Sequence, residues 1–275
     1  MLKLMNLVEN NMSENKALRA EHGLSFFVEG DNFKFLFDCG PSDAILHNAR
    51  YLGVRLASGQ FTVLSHNHWD HTLGYREVVE AGLAPKVLYT GPNFFARKYA
   101  QSGMRYTDLS SGLDEEFLQE HGIEHRVIEG AEKIGEGLWL VSGFNRTHDF
   151  ETIPTRFVKE DKGRMVKDDF SDEVCAVFDT PRGLVVMVGC SHPGILNILE
   201  TVHQRLERPI YGVIGGTHLM EADENRIKQT LTELERLGIE VAGLCHCSGQ
   251  KAREEIDERE ALAGCQIHVG GVIFF

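Results

Sequence analysis

The stretch "SHNHWDH", Ser65 to His71, places three histidines and one aspartate within seven residues. It follows "FTVL", Phe61 to Leu64, a run of apolar and β-branched residues that predicts a short buried β-strand. The potential metal ligands therefore come where a strand ends and the chain turns outward. In open α/β folds ligands bind at this edge of the sheet, so the stretch indicates both an α/β fold and a functional site.

The rest of the chain predicts two mixed β-sheets. Early strand-like runs are Leu2–Val8, Leu24–Val28 and Lys34–Asp38, and the last two flank a turn that is typical of a hairpin. A helix is predicted at 41–53, and after a second hairpin the later half alternates strands with helices. Two mixed sheets with helices on their outer faces satisfy this pattern.

Length, charge and cysteine content restrict the class of protein. The 275 residues predict one domain spanning 1–275, in which the less regular region 99–167 forms lid-like loops over a binding site. The net charge of −13 disfavours nucleic acid as a partner, and no apolar run is long enough to span a membrane. Six cysteines without framework spacing indicate reduced thiols and a cytoplasmic location.

Three later strands also end near histidines. "VVMVGCSHPG" contains His192, "GVIGGTHL" contains His218 and "AGLCHCSG" contains His246. A lone histidine at a strand end is usually a hydrogen-bonded structural residue. Four such ends, one of them with a ligand cluster, instead indicate a metal site, because imidazole is the commonest metal ligand in proteins.

The spacing within the cluster predicts two metal positions. His66 and His68 are two residues apart in an extended segment, so their side chains point to the same side and can bind one ion. Asp70 and His71 follow the turn, point elsewhere and can bind a second ion.

"HNHWDH" resembles the HxHxDH signature of the metallo-β-lactamase superfamily, which implies an αββα fold of two mixed sheets between helices. "LFDCG", with Asp38, is similar to the family's first motif, whose aspartate supports the metal site. The resemblance implies two sets of three ligands, one for each ion: His66, His68 and His192 for the first, and Asp70, His71 and His246 for the second.

One position departs from the family pattern. The fourth motif usually supplies an aspartate that bridges the two ions, but here the strand ends "GGTHL" with His218. A neutral imidazole cannot bridge two ions, because it offers one lone pair. His218 is therefore predicted either to bind one ion terminally or to hydrogen-bond substrate, with terminal ligation preferred. Glu221 and Asp223 follow the strand and are weaker alternatives.

A narrower resemblance rests on "EHGLSFFVE", "LSHNHWDHTLGY", "GCSHPGILN", "GGTHL" and "CHCSG". These motifs resemble the 7,8-dihydropterin-6-methyl-4-(β-D-ribofuranosyl)aminobenzene-5′-phosphate synthase-like subgroup, in which the histidine in place of the aspartate is characteristic. The resemblance implies pterin and sugar-phosphate chemistry.

The predicted activity is that of a metal-dependent hydrolase or related lyase that acts on a small, anionic molecule through a metal-bound hydroxide oriented by Asp70. Two zinc ions are expected, with iron or manganese as alternatives, and the oligomeric state is left open. A mononuclear iron oxidoreductase of the persulfide-dioxygenase kind is the second hypothesis, since the same ligands suit iron. A ligand-binding protein without turnover is the third.

Two further sets of residues have open roles. Cys190, Cys245 and Cys247 flank the predicted ligands; they can be thiolate ligands, but packing as small apolar residues is preferred, as it is for Cys39. In a second set, Arg146 and His148 lie in "NRTHDFE", where a guanidinium could pair with a substrate phosphate. An ordinary surface loop explains this stretch equally well.

Overall fold

Two seven-stranded mixed sheets form the centre of the computed structural model, which describes residues 1–275. In spatial order the first sheet contains β18 (Val272–Phe274), β1 (Lys3–Val8), β2 (Ser25–Glu29), β3 (Lys34–Phe37), β4 (Phe61–Val63), β5 (Val87–Thr90) and β8 (Glu124–Val127). The second contains β17 (Ala263–Gly264), β16 (Val241–Leu244), β15 (Ile210–Gly215), β14 (Gly183–Val188), β13 (Val174–Thr180), β10 (Leu138–Ser142) and β9 (Ala131–Gly135).

Six α-helices cover the outer faces of these sheets. They are α1 (Ala44–Tyr51), α2 (Trp69–Glu80), α3 (Glu115–Glu120), α4 (Ile195–Leu206), α5 (Glu224–Arg236) and α6 (Gln250–Asp257). Helices α1 to α3 pack their apolar residues on the first sheet, and α4 to α6 pack theirs on the second. None of the helices has the length and apolar character needed to cross a membrane.

The inner faces of the two sheets form a separate apolar layer. Phe35 stacks on Phe61 with ring centroids 4.8 Å apart, and Phe178 of the second sheet reaches Phe35 at 6.2 Å. Both hairpins predicted from the sequence are present, since β2 pairs with β3 and β13 with β14 in antiparallel register. The predicted αββα arrangement of two mixed sheets between helices is therefore confirmed.

The region 99–167 is not irregular, so that part of the prediction was wrong. It contributes to a third, four-stranded sheet, called here the small sheet, and also contains α3 and β8 to β10. The strands of the small sheet are β12 (Arg164–Lys167), β11 (Phe157–Asp161), β6 (Lys98–Ser102) and β7 (Arg105–Asp108). Strand β7 is exposed throughout and β12 nearly so, and therefore they lack the apolar alternation by which a half-buried strand is recognised.

Four residues in the left-handed backbone region lie just beyond strand ends on one side of the two large sheets. They are Asp38 after β3, Ser191 after β14, His218 after β15 and His246 after β16, with φ between 48° and 57°. Strands β14, β15 and β16 run parallel, so their carboxyl ends meet at one edge. A non-glycine residue in this conformation costs about 1 kcal/mol or more, and such strain concentrates at functional sites.

Candidate metal centre

Three histidines meet at the first predicted metal position. The ligand atoms of His66, His68 and His192 all lie within 4.8 Å of one another, and all three rings are buried. Nε2 of His66, Nε2 of His68 and both ring nitrogens of His192 have no hydrogen-bond partner. Burial lowers the pKa of each ring well below the usual value, so the three imidazoles are neutral and offer lone pairs.

These unpartnered nitrogens fit a bound cation. An unsatisfied buried polar group costs about 1–3 kcal/mol, and native proteins rarely keep several together. Neutral imidazoles that converge on one point are the donor set that zinc, iron and manganese share. The residues at the first position therefore suit a divalent metal ion.

His71 and His246 meet at the second predicted position. Their Nε2 atoms lie 3.2 Å apart. Nδ1 of His71 donates to Asp38 Oδ2 at 2.7 Å, and Nδ1 of His246 donates to Asn10 Oδ1 at 2.9 Å. Because both Nδ1 atoms carry hydrogens, two Nε2 lone pairs face each other unless a proton or a metal ion lies between them.

Charges at the second position favour a cation. Burial favours a neutral ring, but Asp38 and Asp70 outweigh it and raise the pKa of His71 to about 9. Burial also lowers the pKa of His246 to about 4. The protein therefore stabilises one positive charge between these nitrogens, and a metal ion would take the place of that proton.

Asp70 completes this second group. It lies in the first turn of α2, and its Oδ2 is 3.3 Å from Nε2 of His246. Burial raises its pKa, but the neighbouring histidines, His71 first, bring it well below the usual range. Zinc–nitrogen and zinc–oxygen bonds of about 2.0 to 2.2 Å at tetrahedral angles put ligand atoms about 3.3 to 3.6 Å apart. The distances from Nε2 of His246 to Nε2 of His71, 3.2 Å, and to Oδ2 of Asp70, 3.3 Å, are close to that spacing.

His22, which no sequence pattern singled out, also lies at this position. Its Nε2 lies 3.3 Å from Asp70 Oδ2, and its Nδ1 accepts from Asn10 Nδ2 at 3.1 Å. His22, Asp70 and His246 form one of the groups whose ligand atoms all lie within 4.8 Å of one another. With Nδ1 accepting from Asn10, Nε2 is a donor, and this favours a hydrogen bond to the Asp70 carboxylate over a bond to metal. The residue occurs in "EHGLSFFVE", one of the quoted motifs, but nothing in its local spacing marks it as part of the site.

Asp38 and Glu173 accept hydrogen bonds from the predicted ligands and from the backbone next to them. Asp38 accepts from the Ser65 backbone N–H at 2.7 Å and from its hydroxyl at 2.8 Å, in addition to its bond with His71. Glu173 is buried and accepts from the backbone N–H groups of Ser191 at 2.6 Å and His192 at 3.2 Å. Burial, reinforced by the charge of Asp172, raises the pKa of Glu173 to about 8.

His218 lies beside the first position rather than with the second group. Its ring centroid is 4.5 Å from that of His192 and 5.7 Å from that of Phe157. It belongs to none of the groups of three whose ligand atoms lie within 4.8 Å of one another. The weaker alternatives, Glu221 and Asp223, do not belong to any of these groups either. Glu221 pairs with Arg156, and Asp223 caps α5.

The cysteines divide into two kinds. Cys39 and Cys245 lie in the apolar layers, as the packing interpretation predicted. Cys190 and Cys247 instead form a group with His246 in which all ligand atoms are within 4.8 Å. In an extended strand Cys247 would face away from His246, but β16 ends at Leu244 and the left-handed turn at His246 breaks the alternation.

The two predicted substrate-binding residues have other protein partners. Arg146 donates to the backbone carbonyl of Asp169 at 2.7 Å. Nε2 of His148 lies 3.2 Å from Glu200 Oε2, on helix α4. The predicted roles of Arg146 and His148 in substrate binding stay predictions.

Side chains from the small sheet and the loop after it cover the first position. Phe170 stacks on His192 with centroids 3.8 Å apart, and Nζ of the buried Lys98 lies 4.2 Å from the centre of the same Phe170 ring. Phe157, at the start of β11, contacts His68 at 5.6 Å and His192 at 5.2 Å between ring centroids. The histidines of the first position are thus screened from water on this side.

Comparisons with known proteins agree with this geometry. Residues 18–149 match the family model described as the metallo-beta-lactamase superfamily. A 7,8-dihydropterin-6-methyl-4-(beta-D-ribofuranosyl)-aminobenzene-5′-phosphate synthase of Methanocaldococcus jannaschii is 30% identical, in a match that covers 100% of this chain and 97% of that protein.

Solved structures show the same fold. The crystal structure of Tm1679, described as a metal-dependent hydrolase of the beta-lactamase superfamily, superposes with a TM-score of 0.84 at 29% identity and covers 100% of this chain and 99% of that chain. Zn²⁺-bound PqqB from Methylobacterium extorquens is only 11% identical, with a TM-score of 0.58 and coverage of 99% and 100%, and supports the fold alone. From the full-length match to the M. jannaschii protein, together with the fold, we conclude that this chain belongs to the metallo-beta-lactamase superfamily.

Proposed function

We propose that this protein is a metal-dependent hydrolase or related lyase with two divalent ions, zinc by preference, that acts on a small anionic molecule. His66, His68 and His192 would hold the first ion, and Asp70, His71 and His246 the second. The observation that carries the proposal is the 3.2 Å approach of the Nε2 atoms of His71 and His246 beside the three unpartnered histidines.

When bound, two such ions lower the pKa of water to about 7 and polarise an ester, lactone or phosphate oxygen. The chain's own residues supply the rest. Asp70, held by His22, is ionised and belongs to the second group, so it would orient the attacking water as well as bind the second ion. Phe157 and Phe170 restrict bulk water around the first group, which strengthens electrostatic interactions there.

The substrate class follows from the relative and from the charges near His218. The M. jannaschii protein is named for a product that contains a dihydropterin and a ribofuranosyl phosphate, and we propose a substrate of related chemistry. Burial is the largest cause that lowers the pKa of His218. Arg156 and Arg226 lower it further, whereas Glu221 raises it. Nε of Arg226 is buried without a partner. Because Arg156 is paired with Glu221, Arg226 is the positive charge that would suit a phosphate group.

The whole chain, 1–275, is proposed to act as one domain in which the small sheet serves as the lid. All six cysteines are unpaired, which supports the proposed location in the reducing cytoplasm.

Metal analysis of purified variants tests the proposal. The parent protein should carry two divalent ions per chain, whereas His68→Ala should lose the first and His71→Ala the second. His203→Ala is the matched control, because His203 is exposed on α4 and contacts only the carbonyl of Arg208, at 3.0 Å. It should keep both ions. One iron per chain with oxygen uptake would instead support an oxidoreductase, and a parent that binds no metal would contradict the proposal.

Activity is tested on a chromogenic phosphodiester, a lactone and a thioester, with the same variants. Turnover of at least one substrate is expected for the parent and His203→Ala, and its loss for His68→Ala and His71→Ala. Equal turnover in all four proteins would show that the activity does not come from this site.

We propose that His218 contacts the substrate rather than the second ion, because its ring lies against His192 and outside the second group. His218→Ala should therefore keep the full metal load while turnover falls at least tenfold. A drop to one ion per chain would restore the terminal-ligand hypothesis.

A further inference from the structure

The thiol of Cys190 lies between the two groups of metal ligands. Its Sγ is 3.1 Å from Nε2 of His71, and Cys190, His66 and His71 form a set whose ligand atoms all lie within 4.8 Å of one another. That set takes one histidine from each proposed metal position. Cys190 also belongs to the set that contains His246. One buried sulfur therefore faces both positions.

The backbone around Cys190 is built to bring the sulfur this close. At Gly189 an added Cβ would lie 2.1 Å from Ser65 Oγ, so only glycine lets the segment approach the turn that carries the histidines. Ser191 follows with φ of 57°, and Glu173 holds the backbone N–H groups of Ser191 and His192. The close approach at Gly189 and the bonds to Glu173 thus fix the backbone on both sides of Cys190.

The neighbouring thiol of Cys247 has different contacts. Its sulfur accepts from the backbone N–H of His218 at 3.3 Å and donates to the backbone carbonyl of Cys190 at 3.7 Å. These bonds tie two strand-end turns together. In contrast, the sulfur of Cys190 lies 3.1 Å from Nε2 of His71, a proposed ligand atom. Cys190 is therefore the candidate ligand, and Cys247 is its structural neighbour.

We propose that Cys190 is a thiolate ligand of the metal centre. This inference rests on the proposed metal site. Binding a metal ion would release the thiol proton to solvent and form a metal–sulfur bond of about 2.3 Å. His66 and His71 occur together in one group of neighbouring ligand atoms. The third member of that group is the Cys190 sulfur and not a carboxylate.

Titration of the metal-free protein with Co²⁺ under reducing conditions tests the inference, because a thiolate ligand gives an intense sulfur-to-cobalt absorption in the near ultraviolet. The parent and Cys247→Ser should show this absorption, and Cys190→Ser should lose it and bind Co²⁺ at least about tenfold more weakly. Cobalt binding by the parent without the absorption, or a full absorption in Cys190→Ser, would overturn the assignment.

X-ray absorption of the zinc-loaded parent gives a second measurement that does not depend on whether Cys190→Ser folds. A sulfur neighbour at about 2.3 Å is expected in the parent and in Cys247→Ser. A zinc shell of nitrogen and oxygen alone would overturn the role of Cys190 and leave the proposed function intact. Failure of the parent to bind any metal would instead overturn both.

Discussion

At the residue scale, the carboxylate of Asp38 determines which nitrogen of His71 is free to bind a metal. It accepts from Nδ1 of His71 and from both donors of Ser65, and all of these groups are buried. The bond fixes the tautomer in which Nε2 carries the lone pair, and it makes the ring more basic. Asp38 therefore belongs to the second metal position although it binds no metal itself.

Asp38→Asn should weaken metal binding at the second position by about tenfold to a hundredfold. Both carboxylate oxygens of Asp38 accept hydrogen bonds, whereas an asparagine amide has one oxygen that accepts and one nitrogen that donates. The variant therefore cannot accept the hydrogen bonds of both His71 and Ser65. Metal titration with a competing chelator measures the two affinities, and the first should stay near its parent value. Asp31→Asn, at an exposed aspartate that pairs with the N-terminus, is the control. An unchanged second affinity would contradict the role of Asp38.

At the scale of elements, a buried ion cluster connects the small sheet to the loop of metal ligands. Nζ of Lys98, in β6, lies 2.6 Å from Asp172 and 3.0 Å from Asp168, and all three side chains are buried. The other oxygen of Asp172 accepts from the backbone N–H of Asn67, between His66 and His68. The small sheet is thus joined to the metal centre by charge as well as by the phenylalanines.

Lys98→Met should lower the free energy of unfolding by about 3–5 kcal/mol, because it leaves two buried carboxylates without a counter-charge. Urea unfolding measures the change. Lys251→Met is the control, since Lys251 forms an exposed ion pair with Glu224 and its loss should cost less than about 1 kcal/mol. Similar losses in both variants would show that the buried cluster has no special role.

At the scale of the whole molecule, the metal centre joins segments that are far apart in the chain. Asn10 and His246 are 236 residues apart and share a hydrogen bond, and Asp38, Asp70 and His192 come from three further segments. Ions bound here would connect the edges of both large sheets. A ligand that binds only the folded state stabilises it by RT ln(1 + L/Kd), where L is the free ligand concentration.

Removal of the metals should therefore lower the melting temperature. Free metal at about a thousand times the dissociation constant stabilises a protein by about 4 kcal/mol per site, and a chelator abolishes this contribution. Thermal unfolding with and without chelator measures the difference. A variant with both His68→Ala and His71→Ala should melt at the same temperature in both conditions. A parent insensitive to chelator would contradict the proposed metal centre.

Much of the fold and part of the site follow from local sequence signals. The strand Phe61–Val63, both hairpins and helices α4 to α6 are evident from apolar periodicity and turn residues, which act over a few positions. The ligand cluster is equally local, because its residues are consecutive. Strands β7 and β12 of the small sheet were missed because they are short and largely exposed.

Only the tertiary structure decided how the remaining residues meet. His22 reaches Asp70 from a distant segment, Cys190 lies between the two groups of ligands, and His218 lies beside His192. Left-handed residues at the strand ends redirect the side chains that follow, so strand alternation does not predict where they point. The sequence by itself determined the elements and the kinds of ligand, because these depend on near neighbours. Which residues contact each ligand depends on how the two sheets pack, and local sequence patterns do not encode that packing.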